Sequence, residues 1–158
     1  MVEMQLTGFK ELAEAMRELG PRVAKNYLRS AVATGAAVIR DEAKMIAPVS
    51  TPGEKGKGQA PSGTLKRAIA IKRNRDKTDL FSVQYSVIVR AAGSTKGVKA
   101  YGRTDAFYAR FLEFGTSKMA PHPFMRPAFD HKKEAAIKAI GERLDERIQS
   151  TATELSKK

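Results

Sequence analysis

From Pro21 to Ile46 the chain reads PRVAKNYLRSAVATGAAVIRDEAKMI, 26 residues with no proline after the first. Gly20-Pro21 stops whatever precedes it and opens a new helix, because proline is tolerated in a first turn and glycine favours a helix end. Val23, Tyr27, Leu28, Ala31, Val32, Gly35, Val38, Ile39 and Ile46 recur at helical spacing and define one apolar face. A helix of that length spans nearly 40 Å. That is long for a domain of this size, so the helix is expected to lie across a sheet. Ala31, Ala33, Gly35, Ala36 and Ala37 would let another backbone approach closely.

The remaining elements follow from period and punctuation. Residues 8–19 place Phe9, Leu12, Met16 and Leu19 at helical spacing, with Thr7 as N-cap. RAIAIKR (67–73) and LFSVQYSVIVRA (80–91) alternate as strands, the second through Phe81, Val83, Tyr85, Val87 and Val89. NRDKTD (74–79) turns between them into an antiparallel hairpin. A short helix is predicted over 106–114 from Phe107, Phe111 and Phe114, capped by Gly115. MAPHPFMRPA (119–128) reads as extended, with an edge strand open to it. Pro127 then opens a final helix to about Leu155, burying Phe129, Ile137, Ile140, Leu144, Ile148 and Leu155. The predicted class is α+β: a small, mostly antiparallel sheet packed against a long helix in the N-terminal half and a long C-terminal helix. Residues 1–158 are expected to form one domain, with flexible basic loops at about 48–63 and 93–105.

Charge and residue type narrow the function. Residues 55–110 hold thirteen Lys and Arg against Asp76, Asp79 and Asp105, most of the net +12. That excess suits a polyanion or an acidic partner; a solvated basic face is the plain alternative. No cysteine is present, so disulfides and thiolate chemistry are excluded. The N-terminal residues lack a basic, then apolar, leader pattern, and no run suits a membrane span, so synthesis and assembly in a cytoplasm are expected.

Catalytic groups do not assemble. His122 and His131 are too few for a metal site, and neither a metal nor a cofactor is expected. Asp41 and Glu42, adjacent on a helix, point apart. No G-x-S-x-G elbow or G-x-x-x-x-G-K-[ST] cradle occurs. An enzyme is not expected, since nucleophile, base and orienter are not brought together.

Residues 107–129 hold six of the eleven aromatics: Phe107, Tyr108, Phe111, Phe114, Phe124 and Phe129. They surround Gly115-Thr116, Pro121, Pro123 and Pro127. A local mini-core under the last helix is one reading of the rings. A rigid surface shown to a neighbouring subunit is the other. Glu113 is expected to pair with a cation or with backbone amides at the Gly-Thr turn.

YARFLEFGT (108–116) followed by PHPFMRPAF (121–129) resembles the minor tail component, or tail-completion (head–tail joining), family of long-tailed phages and prophages. The blocks shared are Tyr-Ala-x-x-x-Glu-x-Gly-Thr and Pro-x-Pro-Phe-x-x-Pro-Ala. Ala47-Pro48-Val49 and, after an insertion, Ser62-Gly63-Thr64-Leu65 extend the likeness to about residues 20–145. The resemblance implies a structural virion protein of the head–tail junction, forming a neck ring of about six copies, assembled on a template if need be. Its partners would be further copies of itself, the head connector, tail-tube or terminator proteins, and genomic DNA in the lumen without sequence specificity; no membrane is implied. Subunit contacts are expected at Tyr108, Phe111, Glu113, Phe114, Gly115, Thr116, Pro123, Phe124, Arg126 and Pro127. Lys55, Lys57, Lys66, Arg67, Lys96, Lys99 and Arg103 would face DNA or a neighbouring protein. A tail-terminator or head-closure subunit is the alternative, and a free sequence-independent nucleic-acid-binding protein the more distant one.

Overall fold

The computed structural model describes residues 21–49, 62–75, 82–90, 106 and 108–156. The elements are α1 (Pro21–Ile46), α2 (Thr64–Ala68), β1 (Ile69–Arg73), β2 (Tyr85–Val89), α3 (Ala109–Phe114) and α4 (Met125–Ser156). The predicted helix at 8–19, and the greater part of both basic loops, lie outside the described residues.

The class is α+β, but the long partner of α1 is α4 and not chiefly the sheet. Three contacts fix their relation. Arg143 Nε lies 3.4 Å from Ser30 Oγ, Gly35 faces Ala136 and Ile140, and Glu42 meets His131 at 3.4 Å and Lys132 at 3.8 Å. Numbers rise along one helix as they fall along the other, so the pair is antiparallel. Ala24, Ala31 and Ala43 on α1, with Ala128, Ala136 and Leu144 on α4, are buried along the pair. A Cβ on Gly35 would stand 2.5 Å from Ile140 Cγ1 and 2.9 Å from the Ala136 carbonyl oxygen. The small side chains thus set how near the helices come, as their spacing suggests.

Two predicted core positions face out. Val23 is exposed because Ala24, one residue on, takes the inward direction. Phe129 is exposed for the same reason: Ala128, 100° round the helix, is fully buried against the neighbouring core. Ile137, Ile140 and Ile148 are half-buried on the flanks of the contact, while the side chain of Leu155 is outside the described residues.

β1 and β2 pair antiparallel with Ile69 opposite Val89, Ile71 opposite Val87 and Arg73 opposite Tyr85. Both strands are shorter than predicted. Arg67 and Ala68 belong to α2, whose turn starts at left-handed Gly63 (φ 75°) and buries Thr64 and Leu65. Only extension from Ile69 onward then meets β2. Phe81 and residues 76–80 are outside the described set. Leu65, Ile69, Ala43, Ala47, Ala109, Phe124 and Ala128 close one core, with Val87, Val89, Tyr108 and Leu112 packed on it. That core joins the C-terminal end of α1, the hairpin, α3 and the start of α4.

No edge strand forms at 119–128. Within the described residues this stretch has a single bridge, Thr116 to Met119, and it turns helical at Met125, two residues before Pro127.

Candidate functional site

The early start of α4 has a specific cause. A helix leaves its first four backbone N–H groups without internal partners. Here the Glu113 carboxylate, eleven or more residues upstream, accepts three of them. Phe124 N donates to Oε2 at 2.9 Å, Met125 N to Oε2 at 3.0 Å and Arg126 N to Oε1 at 3.2 Å. The fourth position is Pro127, which has no N–H to satisfy. Ala128 N then makes the first internal bond, to Phe124 O at 3.2 Å. Every orphan donor of the helix is thereby accounted for. A carboxylate also suits the positive end of a helix dipole. The sequence places Glu113 on backbone amides at the Gly-Thr turn or on a cation; it is on amides, but on those of the next helix.

The segment between carboxylate and helix is closed on itself. α3 ends where Gly115 N bonds Phe111 O at 2.8 Å, and Gly115 takes φ 73°, a conformation open chiefly to glycine. A side chain there would also stand 2.9 Å from the Met119 carbonyl oxygen and 3.0 Å from Pro121 N. Thr116 and Met119 exchange backbone bonds, and His122 N donates to Leu112 O at 2.7 Å. The Tyr-Ala-x-x-x-Glu-x-Gly-Thr and Pro-x-Pro-Phe-x-x-Pro-Ala blocks are therefore two halves of one latch. Glu113 is the bolt, and Gly115 makes the turn between the two halves.

The sequence-predicted contact residues divide in two. Phe124 is 1% exposed and lies in the chain's own core, so its ring is not available to a neighbour. Tyr108 is half-buried against the same core, and burial raises its phenol above the ordinary value despite a hydrogen bond with the Leu65 backbone. Glu113, Gly115 and Pro127 serve the latch. Phe111 (45% exposed), Phe114 (62%) and Phe129 (52%) face solvent. Thr116, Pro123 and Arg126 are exposed with them. The Arg126 guanidinium stacks over Phe114, 5.4 Å from the ring centroid. Of the rings, Phe124 and Tyr108 thus belong to the chain's own core, while Phe111, Phe114 and Phe129 are exposed. Phe129 was missed as a surface residue; its neighbour Ala128, small enough for a close helix crossing, is the signal that separates them.

Of the basic residues predicted to face DNA or a neighbour, Arg67 is exposed and Lys66 half-buried on α2. Lys55, Lys57, Lys96, Lys99 and Arg103 are outside the described residues. Lys72, Arg75 and Arg90 are also exposed, and neither 62–75 nor 82–90 contains a carboxylate.

The acids pair separately. Asp41 is held by the Arg40 guanidinium at 2.8 Å, which keeps its carboxyl below the ordinary value. Glu42 turns to His131 and Lys132. Among the described residues no group of three His, Asp or Glu could hold a metal ion, and no helix is long and apolar enough to cross a membrane.

Searches of curated proteins and of solved structures found no match. A family model, bacteriophage HK97-gp10-like tail component, matches residues 10–115, which takes in α1, the hairpin, α3 and the latch glycine. The chain belongs to the HK97-gp10-like family of bacteriophage tail components, structural proteins of the virion.

Proposed function

We propose that this tail component acts at the head–tail junction, as one subunit of a tail-completion ring of about six copies through which genomic DNA passes. The observation that carries the reading is the latch. Glu113 and Gly115 hold residues 108–126 in one shape from inside, while Phe111, Phe114 and Phe129 remain outside. A pre-organised aromatic surface loses little entropy on docking, which suits repeated contact between identical copies. In this reading Phe111, Phe114, Thr116, Pro123 and Arg126 touch the neighbour, and Tyr108, Glu113, Gly115, Phe124 and Pro127 support them.

In the same reading Lys66 and Arg67, and the residues Lys55, Lys57, Lys96, Lys99 and Arg103, meet either the DNA or an acidic neighbour such as the head connector or tail-tube proteins. Its contact with phosphate would be independent of sequence and sensitive to salt. Electron microscopy of the purified protein, alone and mixed with tail tubes, tests the role. A ring on one end of the tube is expected. Protein that stays unbound, or coats the tube along its length, overturns it.

A further inference from the structure

β1 and β2 form a two-stranded ribbon with one face turned to the core. Ile69, Ile71 and Arg73 stand opposite Val89, Val87 and Tyr85, and Ile69, Val87 and Val89 pack in that core. Alternation along the strands puts Lys72, Ser86 and Arg90 on the other face. Arg90 continues the ladder, its N–H donating to Ala68 O at 2.9 Å. Lys72 is directly opposite Ser86, so their Cβ atoms are about 5 Å apart. Arg90, opposite Ala68, lies four residues further along the ribbon, about 13 Å away. Asn74 Nδ2 donates to Ser86 Oγ at 2.9 Å. That bond fixes the hydroxyl and leaves its own O–H to donate.

We propose that this face binds the phosphate backbone of duplex DNA, Lys72 and Ser86 together holding one phosphate and Arg90 a second. The inference rests on the junction role proposed above and names the surface that meets the DNA. Charge balance points to it first. On the helix pair the cations have acids: Arg40 has Asp41, Lys132 has Glu42, Lys138 has Glu142 and Arg143 has Glu146. Lys72, Arg75 and Arg90 are exposed, and among the described residues none of the three forms an ion pair. Cations gathered without acids repel one another, and a polyanion relieves that repulsion.

An acidic protein suits the same face poorly. Protein interfaces are built round desolvated apolar and aromatic anchors. Among the described residues, the large apolar side chains left exposed lie on α1 and just after it, or between Phe111 and Phe129. Ala70 and Ile88, which share the ribbon face with Lys72, are buried and half-buried, so they offer no anchor. What the face presents is an ammonium, a guanidinium and a hydroxyl, the donors that contact phosphate oxygens. Interfaces with DNA are more polar and much more positive than those between proteins. Backbone contact carries no sequence information, which suits DNA in transit.

Anisotropy of a short fluorescent duplex titrated with the full-length protein tests this, with a melting temperature recorded for every variant. At about 50 mM salt, two duplexes of unrelated sequence should bind alike, and log affinity should fall linearly with log salt. Lys72→Glu with Arg90→Glu should weaken binding about tenfold or more. The milder pair Lys72→Gln and Arg90→Gln, which keeps the test should the first pair melt early, should lower the salt slope by about two. Ser86→Ala should weaken binding at an unchanged slope. The matched pair Lys133→Gln and Lys138→Gln on α4 should alter neither affinity nor slope. The inference is overturned by no binding up to about 1 mM, by binding indifferent to the ribbon substitutions, or by a poly-glutamate peptide that binds through Lys72 and Arg90 where the duplex does not. Failure of the duplex to bind, while the natural chain still forms rings on tail tubes, removes this contact alone; absence of rings on the tubes removes the proposed role itself.

Discussion

Gly35 sits so close to Ile140 that a single added carbon would stand 2.5 Å from its Cγ1. The contact lies midway along the α1–α4 pair, where the two helix backbones approach over Ala31 and Ala136. Alanine at position 35 gains up to about 1 kcal/mol of helix propensity, yet it must push a side chain and the Ala136 carbonyl aside. Overpacking of this kind costs about 1–3 kcal/mol. Gly35→Ala should therefore lower stability in urea unfolding, and adding Ile140→Val should recover part of the loss by freeing the Cδ1 contact at 2.7 Å.

Removing the bolt should loosen the start of α4. Glu113→Ala leaves three backbone N–H groups without their acceptor, a loss of about 2–4 kcal/mol, since bonds to a charged group are worth more than neutral ones. Glu113→Gln keeps one acceptor oxygen and should fall between. Gly115→Ala should act in the same direction, through φ 73° and the contact with the Met119 carbonyl. Denaturant melts followed by helical circular dichroism read all three. Glu113→Ala at natural stability would show that the latch holds nothing.

Much of this was legible in the sequence, and the misses share a physical origin. Pro21–Ile46 was readable because Gly20-Pro21 opens it and its apolar residues recur at helical spacing. The short helix was readable at its Gly115 end, though it starts at Ala109 and not at 106. The start of α4 was not, because its cap comes from Glu113, and side-chain-to-backbone bonds over eleven residues leave no local pattern. Phe129 was misplaced because periodicity counts apolar positions without asking how near the partner helix comes; at a close crossing Ala128 wins the inward site and the larger ring is displaced.

Tyr108 gives the stability of the fold an alkaline limb. Its phenol is raised above 10.0, first by burial, with the Leu65 backbone bond opposing. The folded chain then holds the proton more tightly than the unfolded one. The contribution is complete below the unfolded value near 10 and is lost as pH rises through the higher folded value. Melting temperature should fall more steeply above about pH 10 in the natural chain than in Tyr108→Phe. Parallel curves would place the ring in water.

The central claim is that Phe124 and Phe114, ten residues apart, have opposite duties: one holds the chain together and the other faces a second molecule. Phe124→Ala should cost about 3–5 kcal/mol of stability as a large buried ring is removed. The decisive measurement is complementation with Phe114→Asp in a phage lacking its own copy, with the melting temperature of the purified variant recorded alongside. The account predicts a variant that melts like the natural protein while heads and tails accumulate unjoined. Joined, infectious particles at the natural yield would contradict it.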